Sequence, residues 1–163
     1  MNIFVLDTDI NKCAEYHADR HVVKMILEST QMLCTVLNKL GLNAPYRSTH
    51  LNHPCTLWAG TSFDNWKWLQ ALALMLNEEY KFRFDRQKDH KSAVIAHQLP
   101  DPPIPKLGLT EFAQAMPDEY KYPGDAVQAY RQFYLGEKAH FATWTKRPVP
   151  GWFETGCQLR IQS

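Results

Sequence analysis

The chain has no long hydrophobic run: none of its apolar stretches nears the ~20 residues that span a bilayer, so no membrane partner is expected. It has almost no charge bias either. Eighteen Lys and Arg against seventeen Asp and Glu leave a formal charge of +1. That excludes a histone-like or a DNA-mimicking chain but allows a local basic patch. Four cysteines are scattered at 13, 34, 55 and 157 with no Cys-x-x-Cys pair, so neither a zinc knuckle nor a disulfide framework is expected. The opening Met1-Asn2-Ile3-Phe4-Val5-Leu6-Asp7 lacks the basic start and apolar core of an export signal. Buried thiols in a cytoplasmic protein are expected. Glycine is scarce, with seven in all, and forms no phosphate loop, dinucleotide fingerprint or nucleophile elbow. No cofactor is expected.

Proline is missing before Pro45 and between Pro54 and Pro100. An internal proline costs a helix ~3 kcal/mol or more, so both gaps leave room for long helices. Apolar residues make up 45% and charged residues 21% of the 163, as in one ordinary folded domain. Apolar periodicity predicts a helix over about 11–40, stopped by Gly41, and another over about 61–84, capped by Thr61 or Ser62. Shorter helices are predicted over about 88–98, about 110–115, and from an Asp125 cap to about 142. Residues 3–6 read as a brief strand or extended arm. Residues 99–108, LPDPPIPKLG, form an extended crossing, and residues 151–163 form a tail anchored by Trp152 and Phe153. The expected fold is mainly α: a single compact helical domain over 1–163, with a short N-terminal extended segment and a Pro-rich crossing loop.

The first long helix carries an unusual stripe. At about 100° per residue, His21, Lys24, Glu28, Gln31 and Thr35 fall within roughly 40° of His17. Val22, Val23, Ile26, Leu33 and Leu37 occupy the opposite face, and the apolar arc is wider than that of an ordinary surface helix. The polar seam must therefore meet water, a cleft or other polar groups. A plain solvated seam would carry a Lys24–Glu28 pair worth a few tenths of a kcal/mol. Imidazoles, an amine and a carboxylate between apolar walls also suit proton transfer or Schiff-base chemistry, so His17, His21, Lys24 and Glu28 are the candidate catalytic residues. Two histidines at i, i+4 suggest a metal helix, but His17-Ala18-Asp19-Arg20-His21 lacks the activating Glu, and Lys24 would repel a dication. A metal is not favoured; if one binds, its ligands are His17, His21, His50 and His53.

The loop Arg47-Ser48-Thr49-His50-Leu51-Asn52-His53-Pro54 adds Arg47, His50, Asn52 and His53 as candidate substrate contacts. Asn52 and His53 could equally bond loop backbone and cap a helix. Trp66 belongs to an apolar column, while Trp58 and Trp68 either pack or offer stacking surfaces. Lys81, Arg83, Arg86, Lys88 and Lys91 form a positive cluster. On the later helix, Arg131, Tyr134 and Lys138 share a basic, aromatic face that suits a nucleic acid or nucleotide partner, or is a normal solvated face with apolar stems.

Three stretches carry a resemblance: Ala14-Glu15-Tyr16-His17, His53-Pro54-Cys55-Thr56-Leu57-Trp58-Ala59-Gly60 and Arg147-Pro148-Val149-Pro150-Gly151-Trp152-Phe153. With the N-terminal arm, this layout resembles the small all-helical pyrimidine-dimer DNA glycosylases of the phage endonuclease V type. His21-Val22-Val23-Lys24-Met25 with Asn52-His53-Pro54-Cys55 also looks like small phage and bacterial proteins. The resemblance implies an all-helical fold, a DNA partner, and glycosylase chemistry with lyase activity. In that family the N-terminal α-amine, after removal of Met, is the nucleophile, and a Glu follows the Ala-Glu-Tyr-basic run. Here Asn2 is a poor context for removing Met1, and Ala18 stands where the Glu would be. The resemblance therefore maps the amine onto Lys24 and the carboxylate onto Glu28.

The leading expectation is a DNA-processing enzyme of base-excision type acting on damaged or modified bases. Two rivals stand beside it: a metal-dependent nucleotide or phosphodiester hydrolase, and a non-enzymatic helical binding protein of phage type.

Overall fold

A computed structural model describes residues 1–162, and among them every regular element is helical. The arm at residues 3–6 is extended but pairs with no strand. It runs through the core, with Ile3, Phe4, Val5 and Leu6 all buried. Its backbone is satisfied by side chains instead: Cys13 Sγ donates to Phe4 O, Arg131 Nε donates to Leu6 O, and Ile3 N–H donates to Asn2 Oδ1.

The predicted helix over 11–40 is broken in two. Helix α1 spans Ile10–Tyr16 and α2 spans Asp19–Lys39, with His17 and Ala18 extended between them. The buried Arg83 guanidinium makes the break, donating to the Glu15 and His17 carbonyls at the end of α1 and to Asp19 at the start of α2. These carbonyls would otherwise be orphaned in the interior. Glu79 pairs with both Arg83 and Arg147, closing the charge balance. Arg83 therefore lies inside the fold and not in the surface cluster that the sequence placed it in.

Helix α3 (Pro54–Thr61) was not foreseen. The His53 ring accepts from Cys55 N–H and Pro54 starts the helix, which buries Cys55, Thr56, Trp58 and Ala59. Ser62 then caps α4 (Phe63–Arg83). Helices α2 and α4 pack along each other; Trp66, Leu69, Leu72 and Leu76 meet the Leu33 and Leu37 side, and Trp66 Nε1 donates to Leu33 O. Each such buried side chain contributes about 1.5–3 kcal/mol.

Helix α5 covers Lys91–Gln98, and the proline-rich crossing is extended as expected. Residues 110–115 are not helical. Asn65 bonds Thr110, Tyr130 bonds Ala113 and Ala115, and Asn2 bonds Ala115, so side chains take the backbone groups a helix would use. Helix α6 (Ala126–Phe133) starts at the expected Asp125 cap but continues only as a π-helical turn, Tyr134–Lys138. The expected tail is a helix, α7 (Gly151–Gln162); the end of that stretch, Ser163, lies outside the described residues.

Candidate active site

Four elements meet at a pocket of about 130 Å³ lined by Met1, Asn2, Phe4, His21, Lys24, Met25, Glu28, Phe133 and Lys138. Glu28 is its centre. Its residue is 6% exposed, and its Oε1 faces the Met1 α-amine at 3.1 Å and has no other hydrogen-bond partner. Lys24 Nζ lies 3.6 Å from Oε2 across one helical turn and is 62% exposed. Two amines thus approach one buried carboxylate. Asn2 fixes the chain beside Met1: its Oδ1 accepts from Tyr130 Oη at 2.8 Å, and its Nδ2 donates to Ala115 O at 2.8 Å.

His21 forms one wall, stacked on Phe4 with 4.2 Å between ring centroids. Its Nδ1 lies 2.6 Å from Tyr134 Oη, and the same oxygen accepts from Ala18 N–H. The Tyr134 hydroxyl thus joins the start of α2 to the His21 ring, which in its neutral form carries one N–H. Burial pushes His21 down to about 2, aided by His17, Lys138, Lys24 and Arg20. It is therefore neutral at pH 7 and serves as an N–H donor, not as a source of imidazolium.

His17 is elsewhere. It sits in the α1–α2 break, fully buried, with Nδ1 2.7 Å from Cys13 O. Because the carbonyl can only accept, the hydrogen is on Nδ1, and Nε2 is left buried without a partner. Burial lowers it to about 4, with Arg83 adding to that and the Cys13 carbonyl and Glu79 opposing it. The break takes His17 off the stripe, so it is a core residue and not a wall of the pocket.

The loop before α3 does fold along the stripe. Thr35 Oγ1 bonds both the N–H and the C=O of Thr49, and Lys39 Nζ reaches Leu51 O at 2.5 Å. His53 comes nearest the pocket. Burial lowers its pKa, the Met1 ammonium and His50 add to that, and Glu28 and a bond to the Met1 backbone oppose it. Arg47, His50 and Asn52 are exposed. His50 and His53 rings lie 6.3 Å apart, but among the described residues no three His, Cys, Asp or Glu side chains group as metal ligands. The tetrad His17, His21, His50 and His53 is not assembled.

No family model, curated protein or solved structure matches the chain.

The remaining candidates fall into two groups. Lys138 joins the pocket, with Nζ 5.0 Å from the Phe133 ring centroid and 6.0 Å from that of Phe4. Arg131 is tied to Leu6 O and Asp7 and sits over Tyr16 and Trp152; Tyr134 is wholly buried. Trp58 and Trp68 pack with Phe112 into an aromatic cluster, Trp58 buried and Trp68 half-buried. A larger depression of about 390 Å³, lined by Thr8, Glu111, Phe112 and Asp125 among others, carries negative groups and suits an anion poorly. Sequence reasoning set the N-terminal amine aside in favour of Lys24 and missed the bonds that Asn2 and Tyr130 make beside Met1. The polar Asn2 leading an apolar arm was the visible signal for that pair.

Proposed function

We propose that the Glu28 pocket is the active site of a DNA-processing enzyme of base-excision type, attacking the deoxyribose C1′ with an amine. The observation that carries this reading is the buried Glu28 carboxylate between the Met1 α-amine at 3.1 Å and Lys24 Nζ at 3.6 Å. The rim supports it. Lys138 lines the pocket and forms no ion pair among the described residues, leaving it available for a phosphate although the whole chain is nearly neutral. The resemblance to pyrimidine-dimer glycosylases points to the same chemistry.

In this reading the enclosed Met1 α-amine is the nucleophile. Nitrogen bonds to C1′ as the C1′–base bond breaks, and the base leaves with that electron pair and takes up a proton. The nitrogen lone pair then expels the ring oxygen, which is protonated, leaving an imine. Glu28 accepts the amine's proton and faces the positive charge that develops at C1′. His21 offers its neutral N–H, and Lys24 and Lys138 hold phosphates. Removal of a C2′ proton from the imine would form a C2′–C3′ double bond as the C3′–O bond breaks and the 3′ phosphate leaves with that electron pair, completing a lyase step.

Borohydride trapping on a duplex with an abasic site tests the reading. Wild type is expected to form a covalent adduct, and Glu28→Gln to form it about 100-fold or more slowly. Lys24→Ala is expected to keep the adduct. Intact-mass measurement checks that residue 1 carries a free amine in the purified protein. Failure of wild type to trap any abasic duplex would refute the proposal. Tolerance of alanine at His21, Lys24 and Glu28 alike would favour the non-enzymatic binding reading.

A further inference from the structure

We infer that Tyr130 is a positioning residue of the Glu28 pocket, acting through Asn2 to hold the Met1 amine against the carboxylate; this rests on the active-site reading above. The arm that carries the amine pairs with no strand, so ordering its end costs entropy that other contacts must offset. Those contacts form a closed ring. Asn2 Oδ1 accepts from Tyr130 Oη at 2.8 Å, Asn2 Nδ2 donates to Ala115 O at 2.8 Å, and Ala115 N–H donates back to Tyr130 Oη at 3.2 Å. The same Oδ1 accepts from Ile3 N–H at 2.8 Å. Only one orientation of the Asn2 amide satisfies this ring, with its oxygen toward the hydroxyl and its nitrogen toward the carbonyl. Tyr130 is wholly buried and Asn2 nearly so. Burial raises the Tyr130 phenol well above its ordinary range, with Cys55 adding to that, so the hydroxyl keeps the proton it donates. With Asn2 fixed, Met1 is one peptide unit away, about 3.8 Å between Cα atoms, and its amine comes within 3.1 Å of Glu28 Oε1. Anchoring the arm needs none of these polar groups, because Ile3, Phe4, Val5 and Leu6 are buried already. Buried polar atoms cost free energy unless each is paired. What the ring adds is a fixed orientation at the residue next to the amine.

The test is single-turnover borohydride trapping by the full-length protein, read against the concentration of abasic duplex. Tyr130→Phe is expected to lower the maximal adduct rate about tenfold while half-saturation stays within about twofold of wild type. Asn2→Leu should do the same, and the double variant should fall within about twofold of either single variant, because both break the same link. Thr30→Val is the stability control. It removes a buried hydroxyl that bonds Ile26 O and Ser92 O on the α5 side of α2, and it should lower the melting temperature and keep the wild-type rate. Equal rate losses in Thr30→Val and Tyr130→Phe would assign the effect to stability and overturn the proposal. Additive losses in the double variant, or an unchanged rate in Tyr130→Phe, would overturn it too. Reductive methylation with formaldehyde and cyanoborohydride reads the amine without DNA. Met1 Nα should be modified at least about fivefold faster in Tyr130→Phe than in wild type. If wild type traps no abasic duplex, the active-site reading fails; a raised methylation ratio then still upholds the positioning, and an unchanged one refutes it.

Discussion

Tyr134 Oη serves two partners at once, Ala18 N–H and His21 Nδ1. Tyr134→Phe leaves both buried groups without it and is expected to cost about 1–3 kcal/mol in urea unfolding; a loss below a few tenths would contradict the assigned bond. The cysteines give a second check at this scale. Burial pushes Cys13 up to about 12 and Cys55 to about 11, and Cys34 is raised as well. Only Cys157 is partly accessible, so native protein should react with one equivalent of a thiol reagent and denatured protein with four. More than one fast native thiol would contradict the packing. Residue chemistry was partly legible in the sequence. Helical spacing brought Lys24 and Glu28 together because i, i+4 neighbours meet whatever the fold. It misassigned His17, because two extended residues between helices, His17 and Ala18, take a side chain off the stripe.

At the scale of elements, the α1–α2 break depends on a guanidinium 66 positions away from the carbonyl it caps. Arg83→Met removes the caps of α1 and unpairs Asp19 and part of Glu79, and is expected to cost about 3–5 kcal/mol by denaturant titration. A near-neutral effect would mean that the break is intrinsic to its sequence. Gly136 lies where Tyr120 crosses the π-helical turn, and an added Cβ would overlap the Tyr120 ring. Gly136→Ala should therefore displace Tyr120 from Glu137, which its hydroxyl reaches at 3.0 Å, and lower the melting temperature. The long α4 and its Ser62 cap were readable because the apolar period and the cap are both local. The break, α3 and the non-helical 110–115 were not, because Arg83, His53, Asn65 and Tyr130 act through contacts set by the tertiary fold.

For the whole molecule, the buried histidines fix the sign of the pH response. Unfolded, they titrate near 6.5; folded, His17 is lowered to about 4 and His21 to about 2. Protons therefore favour the unfolded chain. The stability these two lend is fully present above about pH 6.5 and is lost as the pH falls toward the folded values. At pH 5 the loss is on the order of 2 kcal/mol for each. His53 and His90, also lowered, act in the same direction. Urea midpoints at pH 7 and pH 5 check this, and equal midpoints would contradict it. The near-zero net charge says nothing of where single cations lie, and Lys138, which lines the Glu28 pocket, forms no ion pair among the described residues. The most direct test of the central claim is peptide mapping of the borohydride-reduced adduct by mass spectrometry. The account expects the deoxyribose remnant on the α-amine of Met1. A remnant on an amine outside the Glu28 pocket would contradict it.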